Sequence, residues 1–91
     1  MTAATALIAE DEPLMRERLK EKLAEVWPEL VIVDEVGDGD AALAAFDAHA
    51  PQIAFLDIRM PGRSGLDVAA LIGRECHVVF ITAYDQHALQ A

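Results

Sequence analysis

The chain has 91 residues, enough for one small domain, and with 54% apolar and 25% charged side chains it is not composed like a disordered segment. Its 16 acidic residues against 7 basic ones give a formal charge of −9, which argues against a nucleic-acid surface, because phosphates need clustered Lys and Arg. No run approaches the roughly 18 continuous apolar residues of a membrane span, and no basic segment followed by an apolar core marks the N-terminus for export. The lone cysteine, Cys76, cannot form an intrachain disulfide, so a reducing, cytoplasmic setting is expected. Between Glu75 and His77 it reads as a small, half-buried hydrophobe.

In chain order, the first expected element is a strand over 5–9, TALIA, a continuous apolar run suited to burial on both faces. It leads into Glu10, Asp11 and Glu12, after which Pro13 fits the first turn of a helix. In that helix Met15, Leu19, Leu23 and Val26 recur at helical spacing and predict one core-facing stripe. The charges of RERLKEK (16–22) alternate in sign and read as a solvated face. Trp27-Pro28 ends the helix. A second strand is expected over 30–36, LVIVDEV, and a second helix from about 40 to 49, carrying Leu43 and Phe46, with Pro51 just beyond.

The third strand, 52–57, reads QIAFLD and finishes on a carboxylate, Asp57. Ser64 is a good N-cap for a third helix that carries Leu66, Ala70 and Leu71 and stops at Gly73. The fourth strand, 77–82, reads HVVFIT and ends on Thr82, and 84–91 looks like the start of a fourth helix. This alternation predicts a doubly wound α/β fold with a parallel sheet and right-handed crossovers, whose ligands sit beyond the carboxyl ends of the strands.

If strands one, three and four are neighbours, Glu10, Asp11, Glu12, Asp57 and Thr82 converge on one rim. Carboxylates so close repel and raise one another's pKa. A hard divalent cation relieves that repulsion, and an incomplete carboxylate set completed by water suits Mg²⁺. Acids also follow strands simply because loops are wet, so spacing alone leaves both readings open.

The segments ALIAEDEPLMRERL (6–19), IAFLDIRMPGRSGLDVA (53–69) and VVFITAYDQHALQA (78–91) together resemble the receiver domain of two-component response regulators. The resemblance spans 1–91 as one domain. Its TAYDQHAL segment is most similar to receivers of the LytTR type, which carry a DNA-binding domain downstream. It implies a flavodoxin-like sheet of order 2-1-3-4-5, here reduced to 2-1-3-4, because the chain stops before the family's fifth strand–helix unit.

The resemblance also implies roles. Asp57 would accept a phosphoryl group from a sensor histidine kinase or from acetyl phosphate. Asp11 would bind Mg²⁺ directly, Glu10 would help hold it, often through water, and the backbone carbonyl of Arg59 would complete the protein ligands. Thr82 would be the switch hydroxyl, and Tyr84 would gate access to the site. Pro61 and Gly62 would shape the loop after Asp57. The Arg59 guanidinium would lie across the phosphoryl group, pair with Glu10 or another rim acid, or be solvated.

Receivers also use a Lys at the end of the fifth strand, and the last lysine here is Lys22. Without a fifth strand, the fourth is expected to be an open apolar edge, favouring a homo-oligomer paired along it or formed by element swapping. Metal-dependent phosphohydrolases with an aspartyl-phosphate commonly carry a second Asp two residues after the nucleophile. Arg59 stands there, so a signalling domain is expected and not an enzyme. A receiver-like interaction module that takes no phosphate is the alternative. His49, His77 and His87 show no ligand spacing.

Overall fold

Four of the apolar runs become the strands β1 (Thr5–Ala9), β2 (Val31–Val36), β3 (Ile53–Asp57) and β4 (His77–Ile81). Between them lie the helices α1 (Pro13–Val26), α2 (Gly39–His49) and α3 (Gly65–Ile72). In this computed structural model residues 3–81 are described, so the expectations for Thr82, Tyr84, His87 and a helix over 84–91 lie outside the described residues.

The strands form one parallel sheet in the order β2-β1-β3-β4, the doubly wound, flavodoxin-like arrangement expected from the sequence. β1 and β3 are central because their residues are apolar on both faces. Leu7, Ala9, Ala54 and Leu56 meet Ala42 and Ala45 of α2 and Val68 and Ile72 of α3 in one buried cluster. Ala6, Ile8 and Phe55 face the other way, against Leu19 and Leu23 of α1. Alanines at 9, 42, 45 and 54 let the α2–α3 layer sit close to the sheet.

Two packing expectations change. The α1 stripe holds only through Leu19 and Leu23, while Val26 is 76% exposed in the last turn before the break at Trp27. On α3 it is Val68 and Ile72, one turn apart, that enter the core, and Leu66 and Leu71 point outward. The apolar run of the fourth strand is not buried on both faces, in keeping with the open edge expected of it: Val79 is 46% and Phe80 41% exposed. β4 lies at the edge of the described sheet, where a side chain has a neighbouring strand on one side only.

The opposite edge has a different chemistry. On β2, Glu35 lies 3.1 Å from Lys20 of α1, an ion pair, and Asp34 lies 3.7 Å from the His49 imidazole of α2, so each face of that strand carries an acid beside a basic side chain. The β1–β2 register also slips between Ala6 and Leu7. Charges and irregularities of this kind discourage further strand pairing.

Candidate functional site

Both central strands end in acids. After Ala9 the chain keeps its sheet contact for one more residue, with the Glu10 N–H donating to the Val36 carbonyl at 2.9 Å. That contact holds the Glu10 side chain inside, where it is 4% exposed, and its Oε1 accepts the Glu12 N–H at 3.1 Å. Asp57 closes β3 and is 9% exposed. Its Oδ1 accepts the Arg59 N–H at 3.1 Å.

Carboxylate oxygens of Glu10, Asp11 and Asp57 all lie within 4.8 Å of one another. Burial raises the Glu10 carboxyl to about 7, against an ordinary 4.5, with the nearby charges of Asp57 and Asp11 adding and the Glu12 N–H opposing. Burial also raises Asp57, opposed by the Arg59 N–H. These donors fit Mg²⁺: they are hard oxygens, and an octahedral ion with bonds of about 2.0–2.1 Å holds its ligands about 3–4 Å apart.

The loop after Asp57 is shaped by steric necessity. Gly62 has φ +73, a left-handed conformation that suits glycine. At Gly65 a Cβ would lie 2.2 Å from the Asp57 carbonyl oxygen, so α3 begins in direct backbone contact with the strand end. The Gly65 N–H donates to the Ile58 carbonyl at 3.1 Å. Ser64 and Asp67 exchange capping hydrogen bonds, which start α3 at this point.

Glu10, Asp11 and Asp57 are thus brought together. Arg59 adjoins them through its N–H, and Pro61 and Gly62 lie further along the same loop. Glu12 is exposed and precedes α1 without capping it through its side chain. Arg16 departs from the solvated face expected of its charge run. Its Nε and Nη2 donate to the Glu10 carbonyl at 3.2 and 2.7 Å, tying the first turn of α1 to the acidic rim. Arg16→Ala is expected to cost about 1–2 kcal/mol in urea unfolding, as one charge-assisted contact is lost, whereas Arg18→Ala at an exposed position costs little.

An open cleft of about 420 Å³ lies at the other end of the sheet, lined by Ala4, Trp27, Gln52, Ile53, Glu75 and His77, away from the acids. Cys76 is half-buried beside it, and burial pushes its thiol up, as suits an inert side chain.

The class defined by this fold and rim is a flavodoxin-like α/β domain with an acidic site at the carboxyl ends of its strands. More particularly, the chain belongs to the response regulator receiver domain family, whose model matches residues 6–91. Receiver domains are signalling domains of two-component systems, and they generally bind Mg²⁺ at such an acidic pocket.

The chain is 48% identical over 90 residues to an uncharacterized response regulatory protein of Vibrio cholerae, covering 96% of this chain and 34% of that protein. It is 46% identical over 88 residues to the positive alginate biosynthesis regulatory protein of Pseudomonas aeruginosa, covering 93% and 36% respectively. Among solved structures it is similar to the signal receiver domain of NarL from Mycobacterium tuberculosis, with TM-score 0.83 and 35% identity over 99% of this chain and 78% of that one. A DNA-binding response regulator of the LuxR family from Staphylococcus aureus matches with TM-score 0.79 and 26% identity, over 96% and 74%. The chain spans about a third of the length of these two curated relatives.

Proposed function

We propose that residues 1–91 act as one phosphorylatable receiver domain, in which Asp57 takes a phosphoryl group from a sensor histidine kinase and switches a transcriptional output. The observation that carries this reading is the meeting of Glu10, Asp11 and Asp57 within 4.8 Å at the end of β3. An Asp57 carboxylate oxygen forms the new bond to phosphorus while the phosphorus–nitrogen bond of the phosphohistidine breaks, and the imidazole leaves.

A carboxylate is a weak nucleophile, so the rate depends on positioning and on neutralising phosphoryl charge. The Arg59 N–H fixes the Asp57 carboxylate through Oδ1. Glu10, with the carboxyl raised to about 7, holds a proton more readily than an ordinary acid, which lessens repulsion on Asp57 before metal arrives. Asp11, Asp57, the Arg59 carbonyl and Glu10, the last through water, would hold Mg²⁺, which supplies neutralisation of the transferring group when bound. Thr82 and Tyr84 are assigned the switch and the gate. A phosphoryl group adds about −1.5 to −2 charge, enough to bias a two-state surface.

Similarity to the alginate regulator supports a regulatory output, the TAYDQHAL segment is the ground for a LytTR-type DNA-binding domain downstream, and the lone Cys76 is the ground for work in the cytoplasm. Two copies pairing along β4 belong to the same reading, supported by the exposed Val79 and Phe80. Light scattering of the 91-residue chain tests it, and a monodisperse monomer at high concentration overturns it.

The main test adds Mg²⁺ and acetyl phosphate to the full-length protein and reads intact mass. One phosphoryl group per chain is expected, lost with EDTA and absent in Asp57→Asn. Equal labelling of Asp57→Asn overturns the assignment. Absence of labelling in the wild type favours an interaction module, and rapid turnover of external phosphoesters favours a phosphohydrolase.

A further inference from the structure

Outside the acidic trio, the loop 58–64 comes close to the amino end of α2. Gly39 is the first residue of α2 and is buried. A Cβ there would lie 2.2 Å from the Arg63 carbonyl oxygen, 2.5 Å from the Arg63 Cβ and 2.7 Å from the Arg63 carbonyl carbon. Two of these three atoms are backbone, so no rotamer change relieves the overlap. Three further contacts hold the same loop. The Gly39 N–H donates to the Pro61 carbonyl at 3.4 Å, Asp40 Oδ1 accepts from Arg63 Nε at 2.9 Å, and Met60 packs against the buried cluster. Asp38 caps α2 by accepting the Ala41 N–H at 2.7 Å, which fixes where the helix begins.

Arg63 and Gly65 are two residues apart, and each is seated on a different backbone. Arg63 rests on Gly39 and Gly65 rests on Asp57. Only Ser64 separates the contact of Arg63 with α2 from the contact of Gly65 with the end of β3. The same loop presents the Arg59 N–H to Asp57.

We propose that the amino end of α2 positions the acceptor loop, with Gly39 and Asp40 acting through Arg63 as positioning residues for Asp57. The proposal rests on the receiver reading above and extends it to residues that touch neither phosphoryl group nor metal. Substitution at Gly39 moves the loop, and with it the Arg59 backbone, relative to Glu10 and Asp11.

The experiment uses the full-length protein and three readouts: the Arg59 amide resonance without metal, the Mg²⁺ affinity by calorimetry, and the rate of phosphorylation by acetyl phosphate. Gly39→Ala is expected to displace the Arg59 amide resonance and to weaken Mg²⁺ binding roughly tenfold, as loss of a supporting contact does elsewhere. Arg63→Asp, which faces Asp40 with a like charge at an exposed pair, is expected to weaken it about two- to fivefold. Adding Asp40→Arg to Arg63→Asp restores the Arg59 resonance and the Mg²⁺ affinity.

An unchanged Arg59 resonance and Mg²⁺ affinity in Gly39→Ala overturn the proposal, even if its melting temperature falls. Should Gly39→Ala not fold, the charge exchange decides: no effect of Arg63→Asp, or no rescue by the second substitution, overturns it equally. A wild type that takes no phosphoryl group defeats the receiver reading, while the metal-free Arg59 resonance still decides on the contact with α2.

Discussion

In metal-free buffer Glu10→Gln is expected to stabilise the protein above pH 7 and to leave it nearly unchanged near pH 4. The Glu10 carboxyl sits at about 7 in the fold against an ordinary 4.5, so between those values the folded protein keeps a proton that the unfolded chain releases. Stability fully present below pH 4.5 therefore falls as pH rises through the folded value. The fall is about 1.4 kcal/mol per pH unit, or about 3 kcal/mol across the interval. Asp57, raised in the same direction and facing the same group, adds to the loss. A glutamine has no charge to lose and still accepts the Glu12 N–H.

Thermal unfolding of both proteins from pH 4 to 8 checks this, and parallel curves would count against it. Millimolar Mg²⁺ is expected to reverse the order at pH 8, since a ligand that binds only the folded state stabilises it, and the carboxylate binds the ion better than the amide.

Gly65→Ala is expected to cost about 3 kcal/mol or more in chemical unfolding, at the top of the usual range for overpacking. Its Cβ would fall 2.2 Å from the Asp57 carbonyl oxygen and 2.8 Å from the Asp57 carbonyl carbon. Relief requires α3 to retreat from the strand, which also pulls Val68 and Ile72 from the core. Gly73→Ala is the contrasting case: it meets no atom within 4 Å, but its φ of +61 imposes local backbone strain, and about 1–2 kcal/mol is expected. If the two variants unfold alike, close packing at Gly65 is not the reason a glycine stands there.

Much of this molecule is legible in its sequence, for identifiable reasons. The strand over 5–9 and the acids that follow it are visible because burial of a central parallel strand demands an unbroken apolar run, and a rim demands that it stop. Glu10, Asp11 and Asp57 follow from strand endings only once the strand order implied by the family resemblance is added. The edge position of β4 was legible only through the strand order that the family resemblance implies, because an apolar run looks the same at the centre of a sheet and at its edge. The outward positions of Leu66 and Leu71 were not legible: on a helix as apolar as α3, periodicity does not single out one face. The part played by Arg16 depends on a backbone carbonyl six residues earlier, and charge alternation carries no trace of it. Gly39 and Gly65 each open a helix right after a capping residue, where glycine is a poor helix former. That oddity was a readable sign of close approach.

The two edges of the sheet also set a rule for growth. β2 carries an acid on each face, Glu35 beside Lys20 and Asp34 beside His49, and β4 carries no charged residue except His77 when protonated. If two copies pair along β4 as proposed above, their charged β2 edges face outward and resist further strand addition, so such a pair is expected to stop at two and not to grow into a fibre.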